Sequence, residues 1–290
     1  MTDDPFVAHR GLLFTVAYEM LGSAADAEDV VQESWLRWSG VDHGDVRDPR
    51  SYLVRVVTRQ SLNRMRTQSR RREDYVGEWL PEPLLTSPDV AEDVELAESV
   101  SIAMLTVLET LRPAERAVFV LREVFDVPYD EIAEAVDRSP AAVRQIAHRA
   151  RDHVAARRPR VDVDRTEQRV VVERFVAALS NGDVQGLMDV LAPDVVLVSD
   201  GGGVVGAARR PIVGADRISR YLVGGFGKAA GTLSLVPAWI NGSPGLRIEI
   251  DGELASAVGV VVAGGRITNL YGIANPAKLA HVDEEAQLSR

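Results

Sequence analysis

Up to about residue 157 the apolar residues recur at helical spacing, and only beyond Arg157-Arg-Pro-Arg160 do strand-like runs appear. A chain whose periodicity changes once, and this far along, predicts an all-α part followed by an α+β part. Its 290 residues suffice for two or three domains, each with a core of its own. In the second part Thr166 to Ser180 and Asp183 to Leu191 read as a helical hairpin around Asn181-Gly182, Val195 to Ser199 as a strand and Gly214 to Gly224 as a helix. Four strand-like runs follow, Thr232–Ile240, Leu246–Ile250, Glu253–Val262 and Arg266–Ile273, divided by Asn241-Gly242, Asp251-Gly252 and Gly264-Gly265. Such turn pairs between apolar runs predict an antiparallel meander.

The all-α part divides in two. Phe6 to Arg72 is helical, with breaks at Gly22-Ser23 and Gly40 to Pro49. Residues 73–98 hold three prolines and little periodicity, which predicts a linker partly structured at Trp79-Leu-Pro-Glu-Pro83. A second helical unit runs from about Ser99 to Val154, and its last two helices meet at Asp137-Arg138-Ser139-Pro140. Ser139 is a good N-cap and Pro140 suits the first helical position, so helix, short turn and basic helix predict a helix-turn-helix.

Charge is segregated along these segments. The net charge of −10 argues against a nucleic-acid partner, yet Arg50 to Arg72 holds eight arginines and no acid, and Arg138 to Arg160 holds seven against the single Asp152. Between them, Glu73 to Glu98 holds nine acids and no base, an internal competitor that could neutralise the arginine helix before it. With no cysteine, disulfides, thiolate chemistry and zinc fingers are excluded, and five scattered histidines lack metal-ligand spacing. The acidic start and the lack of a long uncharged apolar run predict neither secretion nor membrane insertion, and the expected compartment is the cytoplasm.

Three helix faces are candidates for function. At 100° per residue Ala27, Val30, Val31, Ser34, Trp35 and Trp38 form a buried stripe, and Leu36 projects from the opposite face amid Asp29, Gln32 and Glu33. That face is either solvated with one stray leucine or a docking surface anchored by Leu36 inside a charged rim. Ser51 to Arg72 buries Leu53, Val56, Val57 and Met65 and carries Arg55, Arg59, Asn63, Arg66 and Arg70, most of them on the other side. Arginine and asparagine hold phosphates and read base edges; the alternative is a solvated arginine face. In the last helix Val143, Ile146, Ala147, Ala150 and Val154 form the core stripe and leave Arg144, Gln145, His148 and Arg149 outside, with the helix start at Ser139 available to a phosphate.

Asp26-Ala-Glu-Asp-Val-Val-Gln-Glu-Ser-Trp35, Ser51-Tyr-Leu-Val-Arg-Val-Val-Thr-Arg59, Leu111-Arg-Pro-Ala-Glu-Arg116, Tyr129-Asp-Glu-Ile-Ala-Glu134 and Val143-Arg-Gln-Ile-Ala-His-Arg-Ala-Arg151 resemble regions 2 and 4 of extracytoplasmic-function sigma factors. Tyr75-Val-Gly-Glu-Trp-Leu-Pro-Glu-Pro83, Asp200-Gly-Gly-Gly203 and Asn275-Pro-Ala-Lys-Leu279 resemble signature motifs of the SigJ-like subgroup, which carries a C-terminal SnoaL-like domain. The resemblance implies two all-α sigma domains, a region 2 helical bundle and a region 4 helix-turn-helix. After them it implies an α+β SnoaL-like (NTF2-like) cone with a curved antiparallel sheet. The implied division is 1–75 for region 2, 76–98 for the acidic linker, 99–158 for region 4 and 159–290 for the regulatory domain. It also implies partners: core RNA polymerase, through its β′ clamp helices and β flap, and promoter DNA at the −10 and −35 elements. Asp29, Gln32, Glu33 and Leu36 would meet polymerase. Arg55, Arg59, Asn63 and Arg66 would meet the −10 element, and Ser139, Arg144, Gln145, His148 and Arg149 the −35 element. Trp79, Leu80, Pro81, Glu82, Pro83, Asp200, Gly201, Gly202, Gly203, Asn275, Pro276, Lys278 and Leu279 would make regulatory contacts. Asn63, Asp137, Val204 and Ala277 stand where the family often has Asp, Gly, Lys and Asp.

The same implied fold houses isomerases and cyclases, so a third domain that is a small-molecule sensor or enzyme is the rival expectation. A carboxylate base in an apolar pocket would be its requirement, but the acids Asp183, Asp194, Asp200 and Asp251 fall mostly at turns or ends. The reading therefore calls for no cofactor, metal or covalent chemistry. It expects the third domain to fix the linker and so substitute for a separate anti-sigma factor.

Overall fold

Pro5 at the first helical position, with Asp4 accepting from the Phe6 amide, starts α1 (Pro5–Leu21) in this computed structural model. The structure describes residues 4–73, 75–158, 165–203, 207–228 and 230–290. From Leu12 to Leu21 α1 is buried on every side, Glu19 included, which makes it the central helix of the first unit. It ends at left-handed Gly22, and Ser23 caps α2 (Ala24–Trp38) by accepting from the Asp26 amide. After a short 3-10 turn, α3 (Pro49–Glu73) closes the bundle over Leu53, Val54 and Val57. Trp35 leaves the expected buried stripe. It is 38% exposed, with Phe6, near the start of α1, edge-on to it at 5.1 Å between ring centroids.

The linker is more ordered than its composition suggests. Leu80 to Leu84 are buried, and two short helices, α4 (Pro88–Glu92) and α5 (Val94–Ser99), form within the acidic run, with Asp93 capping α5. Then come α6 (Ile102–Leu108), α7 (Pro113–Phe119), one π turn, α8 (Tyr129–Val136) and α9 (Pro140–Ala155). Asp137 ends α8 in the left-handed conformation at φ 55°, at the position where the family often has the glycine that conformation favours. Ser139 accepts from the Ala142 amide and Pro140 starts α9, completing the helix-turn-helix. Leu13, Leu53, Leu105, Val118, Ile132 and Val143 belong to one continuous apolar core, so the two helical units pack as a single body.

The third part begins with α10 (Arg165–Ser180) and α11 (Val184–Val190). Strand β1 (Leu191–Asp200), a two-residue β2 (Ile212–Val213) and α12 (Ala215–Phe226) follow. The meander of β3 (Leu233–Ile240), β4 (Ser243–Ile250), β5 (Glu253–Ala263) and β6 (Arg266–Ile273) completes it. The sheet order is β2-β1-β6-β5-β4-β3, antiparallel except between β1 and β6. That pair corrects the antiparallel expectation: β1 enters from α11 rather than through a hairpin, so no tight turn sets its direction. Phe175, Leu187, Leu246 and Leu270 share one core with the helices of this domain. A second cluster joins Ile240, Val261 and Ile273 of the sheet to Leu80 of the linker and Ile102 of α6. Apolar burial therefore holds the linker and α6 on the sheet. Among the described residues no helix is long and apolar enough to cross a membrane.

Candidate functional site

The polar contacts that could control this chain converge on the linker. Asp200, fully buried at the end of β1, accepts from the Leu80 amide at 2.9 Å, from Lys278 Nζ at 2.7 Å and from the Tyr75 hydroxyl. Lys278, itself 3% exposed, also donates to the Leu80 carbonyl at 2.5 Å, and its Nζ lies 3.2 Å from the centre of the Trp79 ring. Asn275 donates to the Tyr75 hydroxyl at 2.9 Å and caps the 3-10 turn Pro276–Lys278 through the Ala277 amide. Burial first, then the hydrogen bond to Asp200, pushes the Tyr75 hydroxyl well above the usual phenol range. Gly202 adopts φ 62°, and a Cβ there would come within 2.6 Å of the Asn275 side chain, so the turn needs glycine twice over. Leu279 is buried, Gly201 is buried, and Gly203 faces Val76, while Pro276 and Ala277 are exposed. Val204 lies outside the described residues.

Glu82, three residues past Trp79, faces the other way. Its buried carboxylate accepts from the Ser23 hydroxyl at 2.8 Å and the Ala24 and Ala25 amides at 2.7 and 3.1 Å, at the start of α2. A helix N-terminus supplies unpaired amides and a positive dipole end, so a carboxylate is the group that fits. Pro81 and Pro83 hold it there, both buried. Asn241 then ties three parts of the chain together: Nδ2 donates to the Tyr18 hydroxyl (2.7 Å) and the Val100 carbonyl (2.8 Å), and Oδ1 accepts from the Leu84 amide (2.8 Å). Sequence alone marks Asn241-Gly242 only as a turn. The close fit of Gly242, where a Cβ would meet Ala97 Cα at 2.7 Å, is tertiary information. Leu85 bridges Ile240 and Glu285, and the tail beyond it ends with Arg290 paired to Asp93 and Glu95.

Beneath this joint lies a buried polar pair that sequence reasoning missed. Burial pushes the Glu19 carboxyl up to about 8, against the Ser99 hydroxyl that donates to it at 2.7 Å, and pulls Arg116 down to about 9. Arg116 donates through Nε to the Glu19 carbonyl and pairs with Glu109 at 2.7 Å. These contacts join α1 to α5 and α7.

On the outer face of α2, Asp29, Gln32, Glu33 and Leu36 are all exposed, Leu36 at 65%. Arg64 of α3 pairs with Asp26 at 2.8 Å, with Asp29 and with Glu33 at 3.4 Å, so the acids are partly engaged while Leu36 stays bare. On α3, Arg55 pairs with Glu134 of α8 at 2.5 Å and Arg59 donates to the Glu134 carbonyl at 2.7 Å. Asn63 and Arg66 are exposed and bonded to each other at 3.3 Å. The side chain of Arg70 lies outside the described residues. Several linker acids among the described residues go elsewhere than over this helix. Glu98 pairs with Arg158, Asp93 and Glu95 with Arg290, and Glu82 caps α2, because the buried prolines and α4–α5 steer the linker toward the sheet. On α9, Ser139, Arg144, Gln145, His148 and Arg149 are exposed. The guanidinium of Arg144 lies over the Tyr129 ring at 5.6 Å, and His148 is 3.4 Å from Asp152. No group of three or more metal-ligating side chains occurs among the described residues.

Comparison with known proteins matches residues 6–71 to the family model for Sigma-70 region 2 and residues 101–154 to that for Sigma-70, region 4. The chain is 39% identical over 290 residues to the ECF RNA polymerase sigma factor SigJ of Mycobacterium tuberculosis, covering 94% of this chain and 91% of that one. The chain belongs to the ECF RNA polymerase sigma factors. This sigma factor is also 35% identical over 276 residues to the probable ECF sigma factor SigI of M. tuberculosis, with 94% and 92% covered. The crystal structure of M. tuberculosis SigJ superposes with a TM-score of 0.76 at 36% identity, over 96% of this chain and 98% of that one. Its function is to direct transcription by RNA polymerase, and its third domain is part of the shared fold.

Proposed function

We propose that this sigma factor docks on core RNA polymerase through Leu36 and its acidic rim, reads the −10 element with α3 and the −35 element with α9, and is controlled in cis by its third domain. The observation that carries the control is the linker's double anchorage. Asp200 and Lys278 hold it at Tyr75 to Leu80, and α2 holds it two residues later at Glu82. A linker pinned at both points fixes the spacing of α3 and α9, and in this arrangement α8 occupies two of the four arginine and asparagine side chains meant for the −10 element. The third domain thus does in cis the work of a separate anti-sigma factor. The working division remains 1–75, 76–98, 99–158 and 159–290, and the setting is the cytoplasm, where polymerase and promoter are. The reading of the third domain as an enzyme needs a general base. The cavity between its sheet and helices offers no carboxylate, histidine or lysine among the described residues, which favours control over catalysis.

Run-off transcription with purified core polymerase tests this. Lys278→Met and deletion of Asn275 to Arg290 both release the linker, and promoter activity altered from that of the full chain, with helix content and the melting transition of the sigma domains retained, is expected. Removing one member of a buried pair typically costs about 3–5 kcal/mol, enough to free the linker without unfolding the sigma domains. Transcription identical to the full-length protein in both variants refutes control in cis.

A further inference from the structure

The third domain holds a partly open cavity of about 320 Å³ on the face of the sheet opposite the linker, between the sheet, α10 and α12. That volume lies within the range of pockets that take small molecules, roughly 300–1,000 Å³. Among the described residues every lining side chain is uncharged: Phe175, Leu197, Tyr221, Phe226, Ile248 and Leu270 are among its wall residues, and Ser199 and Ser256 are its serine hydroxyls. The Ser256 hydroxyl already donates to the Ile273 carbonyl at 2.9 Å, which leaves its oxygen as an acceptor. An ionised ligand would find no counter-charge here, whereas an apolar one with a single hydroxyl would lose nothing on entry.

Two further features bear on the cavity. Tyr221, Leu222 and Phe226 of α12 cover it, and between them stand Gly224 and Gly225, where an added Cβ would meet nothing within 4 Å. Glycine there is not required by packing, and two helical glycines loosen the turn that carries Phe226, giving the cavity a soft wall for entry. The opposite wall is shared with the linker clasp. Ser199, Gly272 and Ala274 line the cavity, with Ser199 and Gly272 paired across β1 and β6; Asp200 and Asn275, next in the chain after Ser199 and Ala274, hold Tyr75, and the Ala274 amide donates to the Asp200 carbonyl at 2.8 Å.

Resting on the reading of the third domain as the controlling one, we infer that it is a receptor for a neutral, largely apolar small molecule, and that occupancy is passed to the linker through the shared ends of β1 and β6. Side chains alternate along a strand, so a ligand that shifts Ser199 and Gly272 on one face shifts the Asp200 carboxylate on the other. The linker's hold is then the quantity that the ligand changes.

The test uses the full-length chain with naphthalene, 1-naphthol and 1-naphthoate as probes, binding read by isothermal titration and the linker by amide hydrogen exchange across residues 75–85. Naphthalene and 1-naphthol are expected to bind, 1-naphthoate at least about tenfold more weakly because its charge would be buried unpaired. 1-Naphthol is expected to change exchange at Leu80, whose amide donates to Asp200. Ala255→Phe, which fills the cavity, and Leu222→Lys, which places a charge at its rim, are both expected to abolish binding and to leave linker exchange as it is without probe. Whichever variant keeps the native melting profile is used. Absence of binding by both neutral probes at millimolar concentration, or equal binding of 1-naphthoate, overturns the receptor assignment. Binding with unchanged exchange at Leu80 overturns the coupling. Neither failure touches the clasp itself, which Lys278→Met in the transcription assay tests separately.

Discussion

Helices α3 and α9 are both arginine-rich, and the structure treats them in opposite ways. On α3, Arg55 and Arg59 are engaged by Glu134, and Arg64 is drawn onto the acids of α2. On α9, Arg144, Gln145, His148 and Arg149 stand exposed along the side away from the core stripe. On α9 the ion pair of Arg151 with Glu123, at 2.8 Å, lies outside that set, so acids engage α3 on the side proposed for DNA and α9 elsewhere. Taken with the proposed DNA contacts, the asymmetry implies that closure withholds α3 and leaves α9 in place.

The largest effect expected from disturbing that picture lies at neither basic helix. Leu36 stands bare on α2's outer face, and an exposed leucine contributes little to the fold. Leu36→Arg is expected to reduce affinity for core polymerase by about 2 kcal/mol or more, the scale of an interface hot spot, with the melting temperature unchanged. Equilibrium binding to labelled core enzyme checks it, and unchanged affinity removes this face from the interface.

Next in size is the effect of pH on the joint between α1 and α5. The Glu19 carboxyl is raised by burial from its ordinary 4.5 to about 8. Between those values the folded chain holds a proton that the unfolded chain has released, so stability falls as pH rises through that window. Glu19→Gln keeps an acceptor for Ser99 and removes the titration. Thermal melts from mildly acidic to mildly alkaline pH are expected to slope downward for the native chain and to flatten in the variant, and equal slopes would exclude Glu19 as their source.

Much of the architecture was legible because local patterns settle it: Ser139-Pro140 starts α9, and the glycine turns separate β3 to β6. Resemblance to the family pointed to Asp200 and Lys278 at the linker, which spacing alone could not do. What stayed hidden depends on partners far apart in sequence. Glu134 meets arginines more than seventy residues away, Asn241 reaches Tyr18 across more than two hundred, and Glu19 looks like any surface acid until α1 is seen to be central. Trp35 was misplaced for the converse reason, since a helical stripe does not reveal where its covering helix ends.

Gln145→Ala sharpens the comparison itself. If α9 is already available, its loss is expected to relax −35 preference by about 1–3 kcal/mol, the worth of a contact to a base edge. The change is expected to be the same in the full chain and in the chain lacking Asn275 to Arg290. Competition binding with single-base promoter variants reads it. A discrimination that appears only after the deletion would mean that α9, too, is withheld.

The smallest effect is the most direct probe of closure at α3. The Arg55–Glu134 pair is partly solvent-exposed, with 35% and 63% of the two side chains accessible, and such pairs are worth about 0.2–1 kcal/mol. Glu134→Ala removes the carboxylate but leaves the backbone carbonyl that Arg59 uses. The variant is therefore expected to bind a short DNA duplex no more than about fivefold more tightly than the native chain. The gain should shrink as salt is raised, because the released guanidinium acts through phosphate and its contribution is screened. Fluorescence anisotropy across a salt series measures both. No gain at low salt would show that α8 masks α3 by shape rather than by this charge, and a gain indifferent to salt would place the effect at some contact other than Arg55.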